Sequence, residues 1–267
     1  MMVASLASGS SGNSYYIQCG EGAVLIDAGI SGKRLVENIR LAGGDPALVK
    51  GVVVTHDHHD HVAGAGVLQR KYGWKLWMTP GTADACGGRL GKAMVETIRP
   101  GGGLRTAGFS FEFVKTPHDG AEPVMVAVER CGRRCGIFTD LGHAFAGLAE
   151  RLDTLDFAFF EANFDDGLLS GNRRYPARIK ARIRGDHGHL SNDDAADIIN
   201  RLTGDRLRRV VLSHLSEENN RPELALSAFT RATAARREML GMRVGVAPRH
   251  NPMRLCEVPL HTVAMRA

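Results

Sequence analysis

No apolar run in the 267 residues approaches the roughly 20 that a membrane-spanning helix needs, so no membrane partner is expected. The opening stretch MMVASLASGSSGNS has neither a basic region nor a sustained apolar core, and it reads as a poor signal peptide. Cysteine is scarce. The five, Cys19, Cys86, Cys131, Cys135 and Cys256, are odd in number and scattered, which argues against a disulfide framework and for a reducing compartment, the cytoplasm by default. Cys131 and Cys135 have no second Cys/His pair at finger-like spacing and read as ordinary thiols. There are no tandem repeats, low-complexity tracts or obvious linkers. The Gly/Ser-rich run Ser8–Ser14 lacks the Lys of a P-loop, which excludes nucleoside-triphosphate binding of that kind.

What remains is ordinary globular material. Hydrophobic residues make up 43% and charged residues 24%, and the length permits one large domain or two small ones. A net charge of +5 tilts the expected partner towards an anion.

Strand-like apolar runs alternate with helical patterns. Strands are expected at 23–26, 51–54, 74–78, 109–114, 124–128, 135–139, 157–160 and 210–212. Helices are expected from Ser31, around 64–71, near 144–151, from Ser191 through Leu202, and as one long helix from Pro222 to about Leu240. Ser191 followed by Asp194 is an acidic variant of the capping box that opens the fourth of these. The alternation predicts a layered α/β domain with two sheets inside and helices outside, built from two similar halves.

The densest chemistry is Thr55-His56-Asp57-His58-His59-Asp60-His61, directly after the 51–54 strand. Neutral imidazoles and ionised carboxylates bind zinc, iron and manganese, and His56, His58, Asp60 and His61 in a loop can converge on two adjacent ions. Three imidazoles in a solvated turn would bring no packing gain. His118, Asp140 and His214 each follow a strand and can complete two sites, with Asp140 able to bridge. Two ions about 3.5–4 Å apart acidify a bridging water and clamp the attacking and leaving oxygens of a phosphodiester.

The series His56-x-His58-x-Asp60-His61, His118, Asp140, His214 resembles the full ligand set of the metallo-β-lactamase superfamily. The resemblance implies a four-layer αββα sandwich over residues 1–267 and two divalent ions (zinc, manganese or iron). It assigns His56, His58 and His118 to the first ion, Asp60, His61 and His214 to the second, and Asp140 to both. Asp60 also counts as catalytic, and Asp27, at the end of the first predicted strand, as structural support. Ser8–Ser14, Tyr175-Pro176, Gly188–Asn192 and His214–Asn220 are similar to the YycJ/WalJ branch, which implies 5′-exonuclease activity on DNA through a metal-bridging hydroxide. Two departures stand out. Phe164 occupies a position where that branch usually has His, and His59 replaces a small polar residue, its alternation pointing it away from the ligands.

His189 resembles the His of a Gly-His-Ser-Thr segment in transfer-RNA 3′-processing nucleases, which implies a general acid held by Glu161. The alternative is a structural His beside a helix start. The segment 173–184 carries six basic residues in twelve, with Arg178, Lys180, Arg182 and Arg184 candidates for phosphate contact or for a solvated face. Ser10, Ser11, Asn13, Asn219 and Asn220 are candidate substrate contacts, with a tight turn near the site as the other option. The same ligand set also serves carbonyl substrates, so an acyl hydrolase (thioesterase or lactonase) or a small-molecule phosphodiesterase is the alternative to a DNA exonuclease. The stretch between Asp140 and His214 is too short for the large inserted domain that some RNA- and DNA-processing nucleases carry. Nothing in the sequence sets the oligomeric state.

Overall fold

A computed structural model describes residues 1–260. Its strands are β1 (Met2–Ala7), β2 (Ser14–Cys19), β3 (Gly22–Ile26), β4 (Val49–Val53), β5 (Lys75–Met78), β6 (Glu96–Thr97), β7 (Gly103–Thr106), β8 (Phe109–Lys115), β9 (Val124–Arg130), β10 (Arg133–Phe138), β11 (Phe157–Glu161), β12 (Arg209–Ser213), β13 (Arg243–Val246) and β14 (Cys256–Glu257). They form two seven-stranded sheets, ordered β14-β1-β2-β3-β4-β5-β6 and β13-β12-β11-β10-β9-β8-β7. In the first, β14 to β3 pair antiparallel and β3 to β6 parallel. In the second, β7 to β10 pair antiparallel and β10 to β13 parallel.

Period-two alternation decides which face each side chain serves. Val24 and Ile26, with Phe157 and Phe159, enter the core between the sheets, while Ala23, Leu25, Ala158 and Phe160 face outward. Both faces are buried, because helices cover the outsides. On the first sheet lie α1 (Gly32–Ala42), α2 (His59–Val62), α3 (Ala65–Tyr72) and α4 (Pro80–Cys86). Interleaved with the parallel strands of the second sheet are α5 (Leu148–Asp153), α6 (Asp166–Gly171), α7 (Ala177–Arg184), α8 (Asn192–Asn200), α9 (Pro222–Ala232) and α10 (Ala234–Leu240). Leu35 and Ile39 of α1 pack on one outer face, and Leu152, Ile199 and Phe229 on the other. The result is the expected α/β sandwich of two sheets between helices.

Several boundaries differ from the sequence pattern, each for a local reason. The helix expected from Pro222 to Leu240 is two helices, because Thr233 leaves helical geometry (φ −101°, ψ 16°) and its hydroxyl donates at 2.6 Å to the Phe229 carbonyl. The helix expected from Ala144 begins at Leu148, since Gly147 sits at φ +86° and cannot continue a helix backwards. The histidine motif is a loop only as far as His58, and His59–Val62 form one helical turn. The pattern missed β1 and β2, whose apolar residues are broken up by Ala, Ser and Gln, yet both are interior strands of the first sheet.

Candidate metal centre

Strand ends at one edge of the two sheets supply the site. Asp27 follows β3, the Thr55–His61 segment follows β4, His118 follows β8, Asp140 follows β10 and His214 follows β12. Asp27, Asp140 and His214 adopt φ of +63°, +62° and +57°, a left-handed conformation uncommon for residues with a side chain. Each turns the chain sharply where its strand stops. Such strain, of order 1–3 kcal/mol per residue, persists where the surroundings fix it and clusters at functional sites.

Hydrogen bonds decide which nitrogen each imidazole presents. Asp27, fully buried, accepts from Thr55 N (2.8 Å) and the Thr55 hydroxyl (3.0 Å), and lies 2.8 Å from His61 Nδ1. A carboxylate only accepts, so His61 Nδ1 carries the proton and its Nε2 faces Asp60 and Asp140, each 3.5 Å away. Because the Thr55 hydroxyl donates to Asp27, it accepts from His56 Nδ1 at 3.0 Å. His118 Nδ1 donates to the Gly188 carbonyl at 3.0 Å, which leaves its Nε2 3.4 Å from His58 Nδ1. His58 is turned the other way round, with Nε2 3.3 Å from Asp119 Oδ1. These partners fix tautomer and ring orientation as outer carboxylates and carbonyls do around bound metals.

The donors fall into overlapping groups whose ligand atoms lie mutually within 4.8 Å: His56, His58 and His118; Asp60, His61 and His214; His56, His61 and Asp140; and Asp140, His214, Glu161 and His189. His56 Nε2 and Asp140 Oδ2 are buried without a hydrogen-bond partner. Buried polar atoms are seldom left so, and orphaned nitrogen and carboxylate oxygen aimed into a ring of donors fit divalent metal. The electrostatics agree. Burial opposes charge on Asp140, but the imidazoles of His214, His61, His56 and His118 outweigh it and hold its carboxyl well below the usual range. Burial likewise opposes ionisation of Asp60, yet His61 brings it down to about 2. Burial pushes His56 well below an ordinary imidazole, so it stays neutral and available to bind.

Glu161 ties the bridging region to the proton donor candidate. Fully buried, its Oε1 lies 2.8 Å from His189 Nδ1 and accepts from Asp140 N at 3.2 Å, while Oε2 accepts from Leu141 N (2.8 Å) and Leu190 N (3.2 Å). Burial opposes charge on His189, but the Glu161 carboxylate outweighs it and raises the imidazole above its ordinary value. With Nδ1 engaged, Nε2 is the nitrogen left for the pocket that His189 lines.

That pocket has a volume of about 200 Å³. Five of the ligand residues, His58, Asp60, His118, Asp140 and His214, line it together with Ser10 and with Ile179, Arg182 and Ile183 from α7. The basic run therefore divides. Arg182 Nε donates to Asp119 Oδ2 at 2.7 Å beside the cluster. Lys180 donates to the Ser170 carbonyl at 2.7 Å and Arg184 pairs with Asp166 at 3.1 Å, both tied back to α6. Arg178 is exposed.

Other expected substrate contacts have different surroundings. Ser10 reaches the pocket and Ser11 is exposed, but Asn13 is buried, its side chain bonded to Gly9 N (2.9 Å) and to Asp60 Oδ2 (3.1 Å). Ser8 accepts from His214 N at 2.8 Å, so the Gly/Ser-rich loop braces the ligands more than it faces solvent. Its close fit needs Gly29, where a Cβ would lie 1.7 Å from the Asp60 carbonyl. Asn219 and Asn220 are corrections. Both are buried, Asn220 donating to the Ala162 and Asn163 carbonyls at 2.8 and 3.0 Å and Asn219 bonded to Asn172 at 2.7 Å. His59 is exposed outside the cluster, as its alternation implied, and Phe164 is buried, paired with Ser191 and 6.0 Å from the Arg184 guanidinium. Asp119 is the residue the sequence did not single out, although it adjoins His118.

A family model described as a β-lactamase superfamily domain matches residues 23–215. The chain is 36% identical over 225 residues to the exodeoxyribonuclease WalJ of Streptococcus pneumoniae serotype 2, covering 82% of this chain and 83% of that one. It is 35% identical over 223 residues to the exodeoxyribonuclease YycJ of Bacillus anthracis, covering 82% and 84%. The crystal structure of the metallo-β-lactamase fold protein YhfI from Bacillus subtilis superposes with a TM-score of 0.68 at 17% identity, over 94% of this chain and 98% of the other. With a family model matching residues 23–215 and a cluster of donors that could hold divalent metal at the strand ends, the chain belongs to the β-lactamase superfamily and has the metallo-β-lactamase fold.

Proposed function

We propose that this chain is a metal-dependent phosphodiesterase that removes nucleotides from DNA in the 5′ to 3′ direction, with two divalent ions of zinc, manganese or iron. The observation that carries it is the pairing, around one small pocket, of the donor cluster with His189 on one side and Arg182 on the other. Identity of 35–36% to proteins named exodeoxyribonucleases supports DNA as the substrate class.

His56, His58 and His118 would hold one ion, Asp60, His61 and His214 the other, with Asp140 shared between them. When bound, such ions supply Lewis-acid polarisation of a phosphoryl oxygen and a water acidic enough to attack at neutral pH. The chain's own residues do the rest. Asp27, Thr55 and Gly188 orient the imidazoles. Arg182 presents a planar cation to a phosphate at the pocket mouth. Glu161 keeps the His189 proton on Nδ1 and favours the imidazolium, so Nε2–H can protonate the departing sugar oxygen. Ile179 and Ile183 limit water on the same side, which strengthens each charged contact. Ligands come from both sheets, which supports treating residues 1–267 as one catalytic unit. Among the described residues no helix is long and apolar enough to cross a membrane, and we place the enzyme in the cytoplasm.

The test is a substrate panel: 5′-phosphorylated duplex and single-stranded DNA, RNA, a small chromogenic phosphodiester and a thioester, each with manganese and with zinc. Release of mononucleotides from a DNA 5′ end is expected. Turnover of the thioester with DNA untouched would overturn the proposal.

A further inference from the structure

At the end of the sheets away from the metal centre, two thiols from distant parts of the chain meet. Cys19 Sγ, at the end of β2, lies 3.4 Å from Cys131 Sγ, in the turn between β9 and β10, at a sequence separation of 112. Cys131 is exposed and Cys19 half-buried. The pair spans the sandwich, since β2 belongs to the first sheet and β9 and β10 to the second.

The backbone under Cys131 makes the placement unusual. Arg130 pairs with Arg133, so Cys131 and Gly132 are a two-residue hairpin turn, with φ of +55° and +70°. Both central residues at positive φ define a type I′ turn, where Asn-Gly or Asp-Gly is the ordinary choice. An exposed Cys gains no packing there and carries the strain of a side chain at positive φ. Its contact is the other thiol.

The neighbourhood holds the two turns together. Arg130 donates to the Ala107 carbonyl at 2.8 Å, and its guanidinium lies 4.6 Å from the centre of the Phe109 ring. The same side chain fills the space beside Gly22, where a Cβ would come within 2.7 Å of its Nη1. The approach of the thiols is thus set by packing between the sheets.

We infer that Cys19 and Cys131 are a reversible thiol-modification site, oxidised by small-molecule disulfides of the glutathione type to an intramolecular cross-link between the two sheets. One thiolate attacks the small disulfide, forming a mixed disulfide and releasing one small thiol. The second protein thiolate then attacks the mixed disulfide, forming the Cys19–Cys131 bond and releasing the other small thiol. Two protein thiols lose two electrons and two protons, and the small disulfide is reduced to two thiols. The sulfurs must close from 3.4 Å to about 2.05 Å. The remaining cysteines do not compete. Cys86 and Cys135 are buried and Cys256 is half-buried, and burial pushes all three thiols above their ordinary value and suppresses the reactive thiolate.

The cross-link leaves the metal centre alone, because β10 runs six residues, about 20 Å, between the turn and the Asp140 end. Its effect is on stability. Closing so long a loop restricts the unfolded chain, and for a protein of this size the melting temperature should rise by about 5–15 °C.

The experiment oxidises the full chain with glutathione disulfide, alkylates the remaining thiols in denaturant and maps the peptides by mass. The expected result is one Cys19–Cys131 linked peptide, three alkylated cysteines, a raised melting temperature that a phosphine reductant reverses, and unchanged metal content. Cys131→Asn, which suits the turn, should abolish both the link and the shift, and Cys19→Ser is the second control. Stable mixed disulfides at Cys19 or Cys131 without cross-linking would overturn the proposal. So would a cross-link through another cysteine, or an oxidation-dependent shift that survives in Cys131→Asn.

Discussion

Asp119 stands between His58 and Arg182: its Oδ1 lies 3.3 Å from His58 Nε2, and its Oδ2 accepts from Arg182 Nε at 2.7 Å. One carboxylate thus orients a metal-site imidazole and holds the pocket's cation in place. Burial raises the Asp119 carboxyl, but the Arg182 hydrogen bond and the neighbouring imidazoles outweigh it and keep it ionised.

From this follows the first prediction. Asp119→Ala should weaken divalent-metal affinity by about 10–100-fold, the usual effect of losing an outer partner of a ligating histidine. Competition with a fluorescent chelator measures it. Wild-type affinity in the variant would show that His58 is oriented without Asp119.

Arg182 and Lys180 differ in surroundings although they are two residues apart on α7. Arg182→Gln should weaken DNA binding and lower the salt slope by about 0.9 on duplex DNA, the value of one phosphate contact. Lys180→Gln should change the slope little, because Lys180 is outside the pocket that Arg182 lines and is tied back to the Ser170 carbonyl. Binding titrations across salt concentrations separate the two. Equal slopes for both variants would mean that the whole helix face, and not Arg182, meets the phosphates.

The meeting of the donors was legible because His56, His58, Asp60 and His61 crowd one short segment after a strand, and His118, Asp140 and His214, ambiguous one by one, gain meaning beside them; the fold brings all seven together. The layered fold was legible for a related reason, since strands such as Phe157–Glu161 are apolar on both faces. Roles that depend on where a side chain turns were not legible. Asn219 and Asn220 are as polar as any substrate contact, yet Asn220 donates to the Ala162 and Asn163 carbonyls and Asn219 is bonded to the Asn172 and Ser216 side chains, partners visible only in the folded chain. Asp119 adjoins a predicted ligand, but its link to Arg182 spans 63 positions and depends on how α7 docks. The left-handed backbone at Asp27, Asp140 and His214 leaves no compositional trace, because no glycine marks it.

Asp140 makes the site's metal dependence measurable as stability. At a free-metal concentration about 100 times the dissociation constant, binding to the folded state alone adds about 2.7 kcal/mol, equivalent to about 5–10 °C in melting temperature for a chain of this length. Wild type should show that rise on adding manganese or zinc to the chelator-treated protein. Asp140→Ala should lose most of it, together with activity, while remaining folded because β10 is untouched. A full metal-induced rise in the variant would remove Asp140 from the shared position.

His189 and Glu161 supply the sharpest test of the proposed chemistry. If His189 protonates the leaving oxygen, His189→Ala should slow DNA cleavage by about 10²–10⁴-fold, the usual contribution of a positioned acid. Metal content should stay at the wild-type level, since the nitrogen that His189 turns towards Asp140 and His214 is Nδ1, which Glu161 already engages at 2.8 Å. A chromogenic phosphodiester with a nitrophenolate leaving group needs little protonation, so the variant should hydrolyse it within a few-fold of the wild-type rate. Glu161→Gln should also slow DNA cleavage, because the amide stabilises the imidazolium less and, with its oxygen on Nδ1–H, its NH2 faces the Leu141 and Leu190 N–H groups that the carboxylate accepts from. Single-turnover rates on both substrates, with metal content measured on the same preparations, give the comparison. An equal loss on DNA and on the nitrophenyl ester, or a fall in bound metal, would make His189 a structural or metal-binding group and leave the leaving oxygen without its donor.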